Sequence, residues 1–162
     1  MKNKHVAVLL GGFSSERPVS LSSGKACADA LEAEGYRVTR VDVDRNVGAA
    51  LADLKPDVAF NALHGPFGED GTIQGLLELA DVAYVGAGVA GSSVGMDKGI
   101  FKDVMRANGI PLVESILVLR SDIEKDINSV IEQVEKMGAY PFFAKPANLG
   151  SSVGISKCNS RS

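Results

Sequence analysis

The chain has 162 residues, of which 45% are hydrophobic, so it can bury a core in one domain, or in a small domain and part of a second. It carries 17 basic and 20 acidic residues without a basic stripe, and no apolar stretch approaches the roughly 20 residues that cross a bilayer, which excludes a nucleic-acid surface and a membrane span. Cys27 and Cys158 are far apart and outside any CxxC motif, which favours reduced thiols and a cytoplasmic location.

The first half of the chain alternates strands and helices. Strands are predicted at 5–10, 36–44, 57–63 and 82–86, and helices at 20–34, at 47–54 and after Asp70. This alternation indicates parallel strands with right-handed crossovers, so we expect residues 1–95 to form an α/β domain with an open, mostly parallel, Rossmann-like sheet. Because such sheets bind ligands beyond the carboxyl ends of their strands, the loops 11–17 and 64–71 are expected at one functional edge.

The second half of the chain has a different pattern. The Gly- and Ser-rich stretch 86–96 is interpreted as the crossover into a second domain, residues 96–162. The elements predicted there are a helix capped by Asp97, a strand at 112–120, a helix that opens with a capping box at 121–124 and ends at Gly138, and strands at 140–146 and 151–157. The last strand has no later partner, so we expect a truncated α+β domain.

Two lysines are candidates for phosphate binding. Lys145 ends an apolar strand and faces the turn ANLGSSVG, where backbone N–H groups and hydroxyls suit a phosphate. Lys98 lies in the first turn of its helix, where a cation opposes the helix dipole at a cost of up to about 1 kcal/mol and thereby suggests a nearby anion. Solvated surface lysines are the alternative for both.

The loop GGFSSERPVS has neither the dinucleotide fingerprint nor the P-loop spacing. Glu16 would repel a phosphate there and attract an ammonium group, although a favourable interaction with the helix dipole would also account for it. His64 follows the third strand directly, so it is a functional candidate, whereas nothing is assigned to His5. Glu69 and Asp70 are more typical of helix caps than of metal ligands, and no metal site is predicted.

Four segments carry a resemblance to a known family. They are LLGGFSSERPVSLSSG (9–24), NALHGPFGEDGTIQGLLE (61–78), VGMDKGIFK (94–102) followed by NGIP (108–111), and FFAKPANLGSSVGIS (142–156). In order and spacing they resemble the D-alanine–D-alanine ligases, which are ATP-grasp enzymes. The resemblance implies a pre-ATP-grasp domain over 1–95 and part of the ATP-grasp central domain over 96–162.

The resemblance also implies roles for individual residues. Lys98 and Lys145 would contact the ATP phosphates, and Ser151 and Ser152 would lie in the loop over them. Glu16 would bind the ammonium group of the first D-alanine, within hydrogen-bonding reach of Ser151, and His64 would lie near that substrate. Glu16 and Ser151 are therefore the catalytic candidates.

The chemistry that the resemblance implies is ligation of two D-alanines for peptidoglycan synthesis, through an acyl phosphate and with ATP and Mg²⁺. It also implies a homodimer when the protein is complete. Family members are about twice as long as this chain, so the Mg²⁺ ligands are expected in the missing half, and the 162-residue chain alone is expected to be inactive.

Three alternatives stay open at this point. One is a non-catalytic α/β module that binds a nucleotide or an amino acid. Another is a dinucleotide-binding oxidoreductase domain, in which Asp42 would bind the ribose, although the glycine fingerprint is absent. The third is a D-alanine–D-lactate ligase, since residues that select the second substrate would lie partly in the missing half.

Overall fold

The computed structural model describes residues 3–150 and 153–161 and divides into two compact units, with the division between Met96 and Asp97. The first unit contains β1 (His5–Gly11), α1 (Arg17–Ala33), β2 (Arg37–Val43), α2 (Val47–Leu54), β3 (Val58–Asn61), α3 (Thr72–Leu79), β4 (Tyr84–Val85) and α4 (Val89–Met96). The second contains α5 (Lys98–Ala107), α6 (Arg120–Glu135), β5 (Phe142–Ala144) and β6 (Ser156–Cys158). No described helix is long and apolar enough to span a membrane.

The first unit is built on a four-stranded sheet in the order β2-β1-β3-β4, and all of its strand pairs are parallel. β1 is central, because it pairs with β2 on one side and β3 on the other. The α/β class and the parallel sheet predicted from the sequence are therefore confirmed. This order brings the carboxyl ends of β1 and β3 next to each other.

Both faces of β1 are buried. Ala7 and Leu9 belong to a cluster with Leu77 of α3, whereas Val8 and Leu10 belong to a second cluster with Ala28 of α1. Successive side chains of a strand point to opposite faces, so β1 supplies apolar contacts to a layer on each side. That is why its sequence is a continuous apolar run rather than an alternating one.

α1 lies close against the sheet because of a glycine. A Cβ on Gly24 would lie 2.5 Å from the Cβ of Leu10, a distance that real side chains do not tolerate. The helix begins at Arg17, three residues earlier than the predicted start, with Pro18 in its first turn, where proline is well tolerated. Glu16 is consequently the N-cap residue of α1 rather than part of a longer loop.

The crossover predicted at 86–96 is wrong for most of its length, since Val89–Met96 is the helix α4. Its serines satisfy backbone carbonyl groups: the hydroxyl of Ser92 donates to the carbonyl of Ala87 (3.2 Å), and that of Ser93 donates to the carbonyl of Asp70 (2.7 Å). Gly and Ser are poor helix formers in isolation, so this helix depends on contacts with the preceding loop and α3.

The second unit contains two predicted elements that are confirmed. Asp97 caps α5 and accepts hydrogen bonds from the N–H groups of Gly99 (2.9 Å) and Ile100 (3.0 Å). β5 and β6 form an antiparallel pair, as the returning strand predicts. The assignment of separate substrate-binding and ATP-binding roles to the two units stays a prediction.

Two predictions in the second unit are wrong. Residues 112–120 are not a strand; Lys102 donates instead to the carbonyl of Val113 (2.9 Å), so a side chain satisfies a backbone group that a neighbouring strand would pair. The capping box at 121–124 is displaced: α6 begins at Arg120, and the carboxylate of Asp122 accepts from the N–H of Leu119 (3.1 Å).

Candidate functional site

The loop after β1 is held by an ion pair. Arg17 donates to both oxygens of Asp42 (2.7 and 2.6 Å) and to the carbonyl of Gly12 (3.3 Å). These hydrogen bonds hold the pKa of the Asp42 carboxyl below its usual value. Gly11 has φ +78°, which strains any other residue, and a Cβ there would lie 2.1 Å from Asp42 Oδ1, so a side chain at this position would displace the ion pair. Because Asp42 is engaged by Arg17, it is not a free ribose ligand, which argues against the oxidoreductase alternative.

Glu16 is buried at the start of α1, with only 6% of its surface exposed. Its N–H donates to the hydroxyl of Ser14 (3.1 Å), while no described residue donates a hydrogen bond to its carboxylate or forms an ion pair with it. The carboxylate lies against Gly65, since a Cβ on that glycine would come within 2.7 Å of Glu16 Oε2. A buried, unpaired carboxylate is costly, and a small cation bound there would offset the cost.

The acidic residues of the loop 64–71 hold the loop together. Glu69 accepts from the N–H of Gly65 (2.7 Å), and Asp70 accepts from the N–H groups of Phe67 (2.8 Å) and Thr72 (3.0 Å). Burial raises the pKa of Asp70, but the hydrogen bonds from backbone N–H groups outweigh burial, so the pKa lies below its usual value. The N-cap residue of α3 is Gly71, without a side-chain cap, so the capping role predicted for Glu69 and Asp70 is wrong. Both carboxylates instead accept from backbone N–H groups of the loop and of the first helical residue.

Three serines connect the start of α1 with the end of β3. The hydroxyl of Ser14 donates to the carbonyl of His64 (2.6 Å), and the buried hydroxyl of Ser20 donates to the carbonyl of Ala62 (2.7 Å). The hydroxyl of Ser23 lies 3.1 Å from Nε2 of His64. The structure therefore brings Glu16 and His64, both predicted from the sequence, to one edge of the sheet. The serines were missed, although two of them recur at helical spacing on the buried face of α1.

An aromatic contact joins the exposed tips of the same two loops. The rings of Phe13 and Phe67 meet edge to face with centroids 6.0 Å apart, and both side chains are about half exposed. The guanidinium of Arg45 lies 5.5 Å from the centroid of the Phe13 ring. Phe67 has φ +69°, a left-handed conformation that is uncommon outside glycine. We call this contact the aromatic clasp.

The second unit brings Lys98 to the turn that follows Lys145. The ammonium of Lys98 donates to the carbonyls of Ala147 (3.3 Å) and Leu149, and its backbone N–H donates to the carbonyl of Ala147 (3.1 Å). Lys145 directly follows β5 and is exposed. Within the described residues, two of the three donors of the Lys98 ammonium are used. Ser151 and Ser152 lie outside the described residues.

A parallel sheet with a buried carboxylate at its carboxyl edge defines an α/β domain with a candidate ligand site at that edge. Known proteins make the class more specific. Residues 48–87 match the family model described as the D-ala D-ala ligase N-terminus, and residues 104–162 match that of the D-ala D-ala ligase C-terminus. A D-alanine–D-alanine ligase B from Mesorhizobium japonicum is 59% identical over 155 residues, covering 96% of this chain and 47% of the relative.

Solved structures agree with this match. The D-alanine–D-alanine ligase from Coxiella burnetii has a TM-score of 0.79 and 30% identity, covering 98% of this chain and 57% of its own. The ligase from Bacillus anthracis complexed with ATP has a TM-score of 0.73 and 27% identity, and the match covers 98% of this chain and 51% of the Bacillus chain. The chain belongs to the D-alanine–D-alanine ligase family, and it spans about half the length of the curated relatives that it matches.

Proposed function

We propose that the whole protein joins two D-alanine molecules in an ATP-dependent reaction that passes through an acyl phosphate. The relatives that match most of this chain at 55–59% identity carry the name D-alanine–D-alanine ligase. Because the chain spans about half of their length, the activity is proposed for the complete gene product.

The observation that carries the proposal is the buried carboxylate of Glu16, to which no residue in the described part of the chain donates a hydrogen bond. It lies beside the loop that begins at His64, at the edge of the sheet where α/β domains bind ligands. A primary ammonium group supplies one positive charge and three donors in a small volume, which matches a buried carboxylate with open acceptor positions. We infer that Glu16 holds the ammonium of the first D-alanine and that His64 lies near that substrate.

Lys98 and Lys145 are proposed to bind the ATP phosphates, together with the loop that contains Ser151 and Ser152. Lys98 is already held beside the turn that follows Lys145, so the two cations belong to one local structure. The family member from Bacillus anthracis was solved in complex with ATP, which supports ATP as the nucleotide.

In the proposed reaction, a carboxylate oxygen of the first D-alanine attacks the γ-phosphorus of ATP, and ADP leaves. The amine of the second D-alanine then attacks the acyl carbon, loses a proton and displaces phosphate. Neither step requires covalent chemistry by the protein, so its contribution is positioning and charge neutralisation. Glu16 orients the first amino acid, and Lys98 and Lys145 neutralise the phosphates. Ser151 is proposed as a second catalytic residue on family membership alone.

Mg²⁺ is a further expectation from the family. Among residues 3–150 and 153–161, no group of three or more His, Cys, Asp or Glu side chains could hold a metal ion. The adjacent carboxylates of Glu69 and Asp70, in the loop after β3, both accept hydrogen bonds from backbone N–H groups. We therefore assign no Mg²⁺ ligand to the described residues and no step of the reaction to the metal.

We propose a cytoplasmic location, because the reaction consumes ATP and because Cys27 and Cys158 are both free thiols. A role in peptidoglycan synthesis and a homodimeric state are proposed on family membership alone.

The proposal is tested by phosphate release from the complete gene product with ATP and D-alanine, with L-alanine as the control. We expect release with D-alanine and little with L-alanine. D-Lactate as the second substrate separates the two ligase types. Release with another amino acid but not with D-alanine would overturn the substrate, and binding of D-alanine without any turnover would favour the non-catalytic module.

A further inference from the structure

The hydrogen bonds of Ser23 constrain the protonation of His64. The Ser23 hydroxyl lies 3.0 Å from the carbonyl of Val19, 3.4 Å from that of Ser20 and 3.1 Å from Nε2 of His64. A hydroxyl has one proton to donate but can accept two hydrogen bonds. A carbonyl oxygen can only accept, whereas an imidazole nitrogen can accept or donate.

Two carbonyl oxygens lie within 3.4 Å of the Ser23 hydroxyl, which favours the arrangement in which the hydroxyl donates to a carbonyl. Ser23 donates its proton back to the carbonyl of Val19, a common bond of serine within a helix. It must then accept from His64, so Nε2 of His64 carries the proton. In the neutral ring, Nδ1 is consequently the unprotonated nitrogen and an acceptor.

We propose that Ser23 is a positioning residue that fixes His64 in the Nε2–H tautomer and thereby presents Nδ1 as a hydrogen-bond acceptor to the ligand of Glu16. No described residue donates to Nδ1 of His64. The next residue, Gly65, lies against the Glu16 carboxylate, so the ring and the carboxylate belong to the same edge. The tautomer stands on the hydrogen bonds alone, and the role toward the ligand rests on the proposed function.

An acceptor at this position complements the carboxylate. An ammonium group has three N–H donors. If the Glu16 carboxylate were the sole acceptor, some of these donors would lack a partner inside a half-buried site. The opposite tautomer would place an N–H against the cation, which is repulsive. Fixing the ring in advance removes the cost of selecting the tautomer when the ligand binds.

The test is the ¹⁵N spectrum of the histidine rings in the complete gene product at pH 8, where a typical histidine of pKa about 6.5 is neutral. Loss of signals in His64→Gln assigns the ring. We expect a protonated Nε2 and an unprotonated Nδ1 in the wild type and in Ser23→Thr, which keeps the hydroxyl. Ser22→Ala, an exposed neighbour on the same helix, should match the wild type, whereas Ser23→Ala should populate both tautomers. A wild-type ring protonated at Nδ1, or an unchanged spectrum in Ser23→Ala, would overturn the proposal.

Kinetics separate this inference from the proposed function. Loss of one hydrogen bond of about 1 kcal/mol predicts a roughly 3- to 10-fold higher KM for D-alanine in Ser23→Ala, an unchanged KM for ATP, and recovery in Ser23→Thr. An equal rise in the KM for D-alanine and the KM for ATP in Ser23→Ala would refute the role of Ser23 toward the ligand. If the wild type does not use D-alanine, the proposed function fails and the ligand role fails with it, while the spectrum still decides the tautomer.

Discussion

Gly65 and Glu16 are in such close contact that a single added carbon at Gly65 would come within 2.7 Å of Glu16 Oε2. The contact joins the loop after β1 to the loop after β3, so the position of the carboxylate depends on a residue almost fifty positions away in sequence. The absence of a side chain at Gly65 therefore has a direct consequence for the ligand site.

Gly65→Ala is expected to impair D-alanine use. Its methyl group would push the Glu16 carboxylate aside, and φ +71° is unfavourable for alanine. A displacement of this size should raise the KM for D-alanine by about 10- to 100-fold in the complete gene product. Gly48→Ala in α2 is the control, since its Cβ would meet only Leu76 at 3.5 Å, and it should be neutral or stabilising by up to about 1 kcal/mol. An unchanged KM in Gly65→Ala would contradict the assigned position of Glu16.

The aromatic clasp predicts measurable coupling between two exposed residues. Unfolding measurements on Phe13→Ala, Phe67→Ala and the double variant should give an interaction free energy of about 0.5–1 kcal/mol. Phe67→Gly removes the ring but tolerates φ +69°, so it should be less destabilising than Phe67→Ala by about 1 kcal/mol. Strictly additive effects of Phe13→Ala and Phe67→Ala would show that the rings do not hold the loops together.

The pH dependence of stability is predicted from His5, at the opposite end of the sheet. Its Nε2 lies 2.8 Å from the hydroxyl of Thr39, and Arg37 donates to its Nδ1. Burial and then the charge of Arg37 lower the pKa of His5, against an opposing effect of Asp57. The folded state therefore binds the proton less readily than the unfolded state.

Stability should accordingly be constant above a pH of about 6.5 and fall as the pH drops from there toward the lower folded pKa of His5. The lowered pKa of Asp57 causes a further loss of stability, but only as the pH falls below the usual carboxyl value near 3.8. The pH ranges in which His5 and Asp57 affect stability are therefore separate. Denaturant unfolding of wild type and His5→Gln between pH 8 and 5 measures this. A slope in that window that persists in His5→Gln would exclude His5 as its source.

The parts of the fold that were predicted correctly are those with a strong local signal. The apolar run of β1 and the exact span of α2, residues 47–54, follow from side-chain periodicity and a stop before Pro56. α4 was missed because its Gly and Ser residues have low intrinsic helix propensity, and its contacts to residue 70 come from elsewhere in the chain. The strand predicted at 112–120 fails because a β-rich sequence still needs a partner strand.

The site was predicted only in part, because some of its residues matter through contacts with distant parts of the chain and have no local signal. Glu16 and His64 stand out in the sequence, since a carboxylate in a glycine loop and a histidine at a strand end are unusual. The residues that position them, Ser23 and Gly65, are among the commonest types in turns and helices. Their importance depends on distances between α1 and the end of β3, which no local pattern encodes.

The most direct test of the central claim is a paired measurement of the KM for D-alanine and the KM for ATP in Glu16→Gln and Lys145→Ala. Glutamine preserves the shape of Glu16 and removes its charge, so the KM for D-alanine should rise by about 10-fold or more while that for ATP stays within about twofold. Lys145→Ala should show the opposite pattern. Equal losses toward both substrates in Glu16→Gln, or an unchanged KM for ATP in Lys145→Ala, would contradict the assignment of one residue to a cation and the other to phosphate.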